Sequence, residues 1–124
     1  MEFKLYRCPV CGNIAWKLVD KGVPLFCCGE KMTELVPGVS DGAVEKHVPV
    51  LCRDGDQVTV QVGATPHPME EDHSIQIIAA VSGDTATVRL PKPGASPDLR
   101  LCSPGSVTAY AYCDLHDYWM GKEN

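Results

Sequence analysis

Residues 57–62, Gln57-Val58-Thr59-Val60-Gln61-Val62, alternate without a fault. In an extended chain successive side chains point to opposite faces, so the three valines share one face and Gln57, Thr59 and Gln61 the other. That is the pattern of a strand with one face in a core and one in water.

Outward from this strand the chain repeats the same rhythm. Turn signals stand at Asp54-Gly55-Asp56, Ser82-Gly83-Asp84, residues 91–98 (PKPGASPD) and Ser103-Pro104-Gly105. Between them lie short apolar runs at Ser74 to Val81, Thr85 to Leu90, Leu99 to Cys102 and Ser106 to Tyr112. Short strands at this spacing predict a sandwich or barrel, and no window carries a convincing amphipathic helix. The expected fold class is all-β.

Toward the N-terminus, Pro37-Gly38 breaks the chain. Before it stand a predicted short strand from Phe3 to Tyr6, the turn Cys8-Pro9-Val10-Cys11-Gly12-Asn13, a predicted strand from Ile14 to Val19, a Lys21-Gly22 turn and the apolar run VPLFCC at 23–28. So few apolar side chains cannot offset the entropy of ordering this segment, so something must staple it. The expected division is a small module over 1–36 and a β-sandwich over 37–124.

Composition narrows the function. The 124 residues allow one core of about 90–100 residues plus an appendage. Hydrophobic content of 44% with 22% charged residues excludes a disordered chain. A net charge of −5 argues against a nucleic-acid partner, which needs a basic face. The segment MEFKLYRC reaches a cysteine before any apolar leader forms, and IQIIAAV at 75–81 is far short of a membrane span. A cytoplasmic protein with no membrane partner is expected. In that compartment disulfides are disfavoured, so clustering among the seven cysteines points to metal ligands.

Cys8 and Cys11 form a Cys-x-x-Cys knuckle, with Gly12 allowing backbone amides to approach the sulfurs. Cys27 and Cys28 are adjacent and cannot make a second knuckle, but they can complete a tetrahedron of four thiolates with distorted angles. Such a set accepts zinc or iron, and the residues alone leave both open.

The chain has four histidines, His47, His67, His73 and His116, all in loop-like or strand-end segments, and Cys113 stands three residues before His116. Four imidazoles and a thiolate are too many donors for a tetrahedral structural zinc site, and the combination suits iron. Five ligands leave one octahedral position open, which is where a small molecule can bind a redox metal.

CPVCGN, fifteen residues and then CC resemble the desulforedoxin module, which holds one iron on four cysteines. EKHVP at 45–49, HPM at 67–69, His73 with Ile75-Gln76, and Cys113-x-x-His116-x-x-Trp119 are similar in order and spacing to the neelaredoxin domain of superoxide reductases. Together the matches span nearly the whole chain and identify it as a member of the desulfoferrodoxin family.

The resemblance implies an immunoglobulin-like sandwich after the small module and two irons per chain. One iron would be held by Cys8, Cys11, Cys27 and Cys28. The other, catalytic, would be held by His47, His67, His73 and His116 in a plane with Cys113 on the axis. It also implies reduction of superoxide to hydrogen peroxide without dioxygen evolution, a rubredoxin-like electron donor, and catalytic roles for Glu45 and Lys46. In extended chain Glu45 and His47 share a side, so Glu45 could reach the open position, while Lys46 would attract the superoxide anion. A homodimer is expected, since the small module buries little by itself.

Some residues depart from the family pattern. Ser74 and Ile77 stand where aromatics are common, and Asp114 and Asp117 replace an asparagine and a glycine. Aspartate tolerates a left-handed backbone, so the last turn should survive. Cys52 and Cys102 match no ligand position and are expected to be small core residues. Glu70, Glu71 and Asp72 are expected to be a solvated loop face, and Trp16, Tyr110 and Tyr112 to be packing residues.

Two other functions fit parts of the chain. A pure electron carrier would use the four-cysteine site but leave the histidines and Cys113 unexplained. A non-haem iron oxygenase or zinc hydrolase needs fewer protein ligands and more open positions.

Overall fold

The computed structural model describes residues 2–39, 44–64, 68–71 and 73–123. The chain divides into two compact units, Glu2–Val36 and a second that starts at Pro37. Nearly all regular structure is strand, in agreement with the all-β expectation. Among the described residues no helix is long and apolar enough to cross a membrane.

In the first unit, β1 (Leu5–Arg7) is the centre of a three-stranded antiparallel sheet between β2 (Ile14–Trp16) and β5 (Thr33–Glu34). β2 stops short of the expected Val19. Lys17 is drawn into the loop by Asp20 Oδ1 at 3.1 Å and the Val23 carbonyl at 2.7 Å. A separate hairpin joins β3 (Phe26–Cys27) to β4 (Glu30–Lys31). Its two loop residues, Cys28 and Gly29, both have positive φ, 55° and 74°, which is the type I′ turn that matches the strands' twist. Apart from Cys8, the buried hydrophobic side chains here are Phe3, Leu5, Met32 and Leu35, with Trp16 packed on Phe3 at 4.6 Å between ring centroids. That is a small core for such a segment.

The second unit opens with a single helical turn, α1 (Val44–His47), followed by β6 (Pro49–Asp54), β7 (Gln57–Val62), β8 (Ile75–Ser82), β9 (Thr85–Arg89), β10 (Asp98–Cys102), β11 (Thr108–Cys113) and β12 (Asp117–Lys122). One sheet runs β10-β7-β6 and the other β12-β11-β8-β9, every pairing antiparallel. The strand predicted from alternation is β7, with the predicted bounds. Its Val58, Val60 and Val62 are at most 1% exposed and meet Ile75, Ile78, Ala80, Leu99, Ala109 and Ala111 of the facing sheet and its own edge, which makes a two-layer sandwich.

The expected core placement of Cys52 and Cys102 is overturned: both are exposed. Leu51 and Leu101 take the inward positions and pack against the core. The period of two then sends their neighbours outward, Cys52 beside Thr59 and Cys102 beside Gln57.

Two local features aim the chain at one end of the sandwich. Tyr112 pairs with Ile77, but Cys113 pairs with Ile75, so Gln76 is an extra residue in β8. This β-bulge lets both Ile75 and Ile78 face inward, which a strict alternation forbids, and it re-aims the start of β8. Where β6 meets β12, Gly121 lies so close to Pro49 that a Cβ there would sit 2.1 Å from the Pro49 carbonyl oxygen. Only glycine permits that approach.

Two candidate metal centres

In the first unit the sulfurs of Cys8, Cys11, Cys27 and Cys28 lie within 4.8 Å of one another. The knuckle places Cys8 Sγ 3.4 Å from the backbone amides of Val10 and Cys11, both of which donate to it. The Cys11 amide chiefly, with that of Val10, lowers the Cys8 thiol to about 6. The type I′ turn solves the problem posed by adjacent ligands: with Cys28 in the left-handed region, its sulfur and that of Cys27 stand on the same side, 3.9 Å apart. Cys11 and Cys27 are 3.7 Å apart. Four sulfurs each about 2.3 Å from one ion in a tetrahedron stand about 3.8 Å apart, so the set fits a single metal.

The crowding of thiols has a cost. Contact with Cys11 and Cys8 raises Cys27, and the same neighbours push Cys28 up to about 12. A bound cation takes the place of those protons.

In the sandwich the donors come from three separate segments. His47 ends α1 and is 2% exposed, the turn being closed by the Val48 amide donating to the Val44 carbonyl at 3.0 Å. His73 follows a tight loop in which the amides and carbonyls of Glu70 and His73 bond each other, at 2.9 and 3.3 Å. The loop is fastened to the core by Met69, whose sulfur accepts the Ile75 amide at 3.4 Å. Cys113 ends β11, and His116 lies in the hairpin to β12.

Ligand atoms of His47, His73, Cys113 and His116 all lie within 4.8 Å of one another. His116 turns Nδ1 toward the Cys113 sulfur at 3.9 Å. Its ring stands edge-on to both His47 and His73, at centroid distances of 4.8 and 5.1 Å. With metal–nitrogen and metal–sulfur bonds of about 2.0–2.3 Å, donors on one ion cannot be much farther apart than this. Three imidazoles and a thiolate therefore fit a metal here, and iron is a metal that accepts this mixture.

Burial pushes the Cys113 thiol up, against the backbone amides of Leu115 and His116, which pull it down. The hairpin that carries His116 closes with Asp117 at φ 62°, so the aspartate does adopt the left-handed conformation expected of it.

The remaining expected site residues are placed as follows. His67 lies outside the described residues, and so does the side chain of Glu45. Lys46 is exposed in α1. Residues 44–47 form a helical turn, so the extended geometry in which Glu45 and His47 share a side does not hold. Glu70 and Glu71 are exposed, as expected of a loop face, Asp72 lies outside the described residues, and Tyr110 and Tyr112 are buried.

Sequence reading missed two supports. The Trp119 ring stacks on His47 at 5.1 Å and donates Nε1–H to the His116 carbonyl at 2.8 Å. Asp114 ties the Cys113 segment to Ser74. The signal for the first was Trp119 three residues past His116. For the second there was none, since Ser74 is 40 positions away.

The family model described as Desulfoferrodoxin matches residues 39–122, and that described as Desulfoferrodoxin, N-terminal domain, matches residues 1–35. The desulfoferrodoxin of Nitratidesulfovibrio vulgaris is 41% identical over 98% of this chain and 97% of its own length. Among solved structures, the superoxide reductase from Treponema pallidum superposes with a TM-score of 0.79 at 26% identity, covering 98% of this chain and all of that one. The one-iron superoxide reductase from Giardia intestinalis matches 64% of this chain and 98% of its own, with a TM-score of 0.57 at 29% identity. With both family models matched and both donor clusters assembled, this chain belongs to the desulfoferrodoxin family.

Proposed function

We propose that the chain is a superoxide reductase, which adds one electron and two protons to superoxide and releases hydrogen peroxide without evolving dioxygen. The observation that carries this reading is the convergence of His47, His73, Cys113 and His116 within 4.8 Å in a chain related to superoxide reductases. Iron held there would supply redox chemistry, the one electron the reaction needs.

The protein supplies the setting. His47, His73, His116 and Cys113 would hold the catalytic iron, with His67 as the fifth ligand. Cys8, Cys11, Cys27 and Cys28 would hold the second iron, so that 1–36 is a desulforedoxin-like module and 37–124 the catalytic domain. His47 and Cys113 are buried, which would keep water from these two ligands once a metal is bound. A thiolate donor pushes electron density toward the metal and favours release of an anionic product.

Lys46, exposed beside the buried His47, is suited to draw in superoxide on a chain whose net charge is −5, and to offset the negative charge that grows as peroxide forms. Glu45 is the second catalytic group, and protons come by way of solvent. The electron donor would be a rubredoxin-like protein, and the working form a cytoplasmic homodimer without nucleic-acid or membrane partners.

The test supplies superoxide to iron-loaded protein together with a reduced rubredoxin-like protein. One electron should leave the donor for each superoxide removed. Superoxide loss with no oxidation of the donor would overturn the reading.

A further inference from the structure

Asp114 follows Cys113, Ser74 follows His73, and the two residues are joined twice. The Ser74 amide donates to Asp114 Oδ1 at 3.0 Å, and the Asp114 amide donates to the Ser74 carbonyl at 3.2 Å. Ser74 is 4% exposed, so its amide has little access to water as an alternative partner. The tie stands at the bulge where the pairing of β8 with β11 shifts by one residue. Regular ladder bonds are interrupted there, and the side chain of Asp114 takes over the task of fixing one ligand segment against the other. The same Oδ1 lies 4.0 Å from Cys113 Sγ.

We propose that Asp114 is a positioning residue that brackets His73 to Cys113 and, through its negative charge beside the sulfur, favours the ferric over the ferrous state of the iron. The inference rests on the reading of this cluster as a redox iron site. Its two halves separate chemically. Asparagine keeps the Oδ1 acceptor for the Ser74 amide and removes the charge, whereas alanine removes both. A unit negative charge a few ångströms from the metal acts on a state that differs by one positive charge, and partial exposure of Asp114 screens it.

The experiment loads the parent, Asp114→Asn and Asp114→Ala with iron and measures three things: the reduction potential of the histidine-site iron, the energy of its ferric thiolate absorption band, and the melting temperature of the loaded protein. Asp114→Asn should shift the ferric-to-ferrous ratio at fixed potential about tenfold toward ferrous, equivalent to about 59 mV upward, and move the band, while melting as the parent does. Asp114→Ala should show the same shift and also melt lower and lose iron faster to a chelator.

An Asp114→Asn potential equal to the parent's overturns the charge role. Unchanged melting and iron retention in Asp114→Ala overturn the bracket. Neither readout needs superoxide, so a parent that fails to reduce superoxide would sink the proposed function while the potentials still decide the role of Asp114.

Discussion

Trp119 lies stacked on His47, 25° from parallel, while its Nε1–H holds the backbone carbonyl of His116. One side chain on β12 thus fixes two metal donors from segments far apart in sequence. A ligand whose ring is held in place before the metal arrives loses less entropy on binding.

Trp119→Phe keeps an aromatic face for His47 but leaves the His116 carbonyl without its donor. The loss should be about 1 kcal/mol in stability. Dissociation of iron from the histidine site, followed with a chelator, should be several-fold faster than in the parent, and an unchanged rate would remove Trp119 from the account.

Cys113→Ser replaces the thiolate by a hydroxyl that stays protonated near neutral pH. The ferric thiolate absorption should vanish and superoxide reduction should fall to a small fraction of the parent rate. Because serine is nearly isosteric, the sandwich should keep its strand content by circular dichroism.

The N-terminal unit should depend on its metal. Phe3, Leu5, Met32 and Leu35 give it little buried apolar surface, and four thiolates on one ion replace the missing core. Chelation, or Cys27→Ser, should release amide protection in residues 2–36 by hydrogen exchange while leaving protection in β7 and β11 intact. Equal loss in both units would contradict this.

Arg53 and Glu123 clamp the end of β6 to the C-terminal end of β12 by two hydrogen bonds, at 3.0 and 2.7 Å, and Glu123 also accepts the Val107 amide at 3.0 Å. Arg53 chiefly, with help from the Val107 amide, holds the Glu123 carboxyl below its ordinary range. A carboxylate with a depressed folded value stabilises the protein above its unfolded value and loses that contribution as pH falls through the folded one. Glu123→Gln should therefore lower the melting temperature most at neutral pH, and the gap to the parent should close in acid. A pH-independent gap would show that the charge is not what matters.

Gly121→Ala places a methyl group against the Pro49 carbonyl, where backbone must move. A cost of about 3 kcal/mol is expected in denaturant unfolding, at the upper end for overpacking. A cost below about 1 kcal/mol, or the small stabilisation that an ordinary glycine-to-alanine change brings, would contradict the close approach.

How much of this was legible in the sequence follows from the range of the interactions. β7 was readable to the residue because its alternation is local and unbroken. The four thiolates were readable because a knuckle and an adjacent pair leave few other uses for four cysteines. β6 and β12 were not recognised as strands, since Pro49, Arg53 and Asp54 blur the first and the second follows directly on the ligand loop. Cys52 and Cys102 were misplaced because an apolar run does not say which of its members faces in. The type I′ turn at Cys28-Gly29 was hidden by a cysteine where asparagine or glycine usually signals it. The bulge at Gln76 and the tie from Asp114 to Ser74 depend on strand pairing, which no local pattern encodes.

The most direct test of the central claim is the product count when superoxide is consumed by the ferrous-loaded protein. Reduction predicts one hydrogen peroxide for every superoxide removed and no dioxygen. One peroxide and one dioxygen for every two superoxide, the stoichiometry of dismutation, would contradict it.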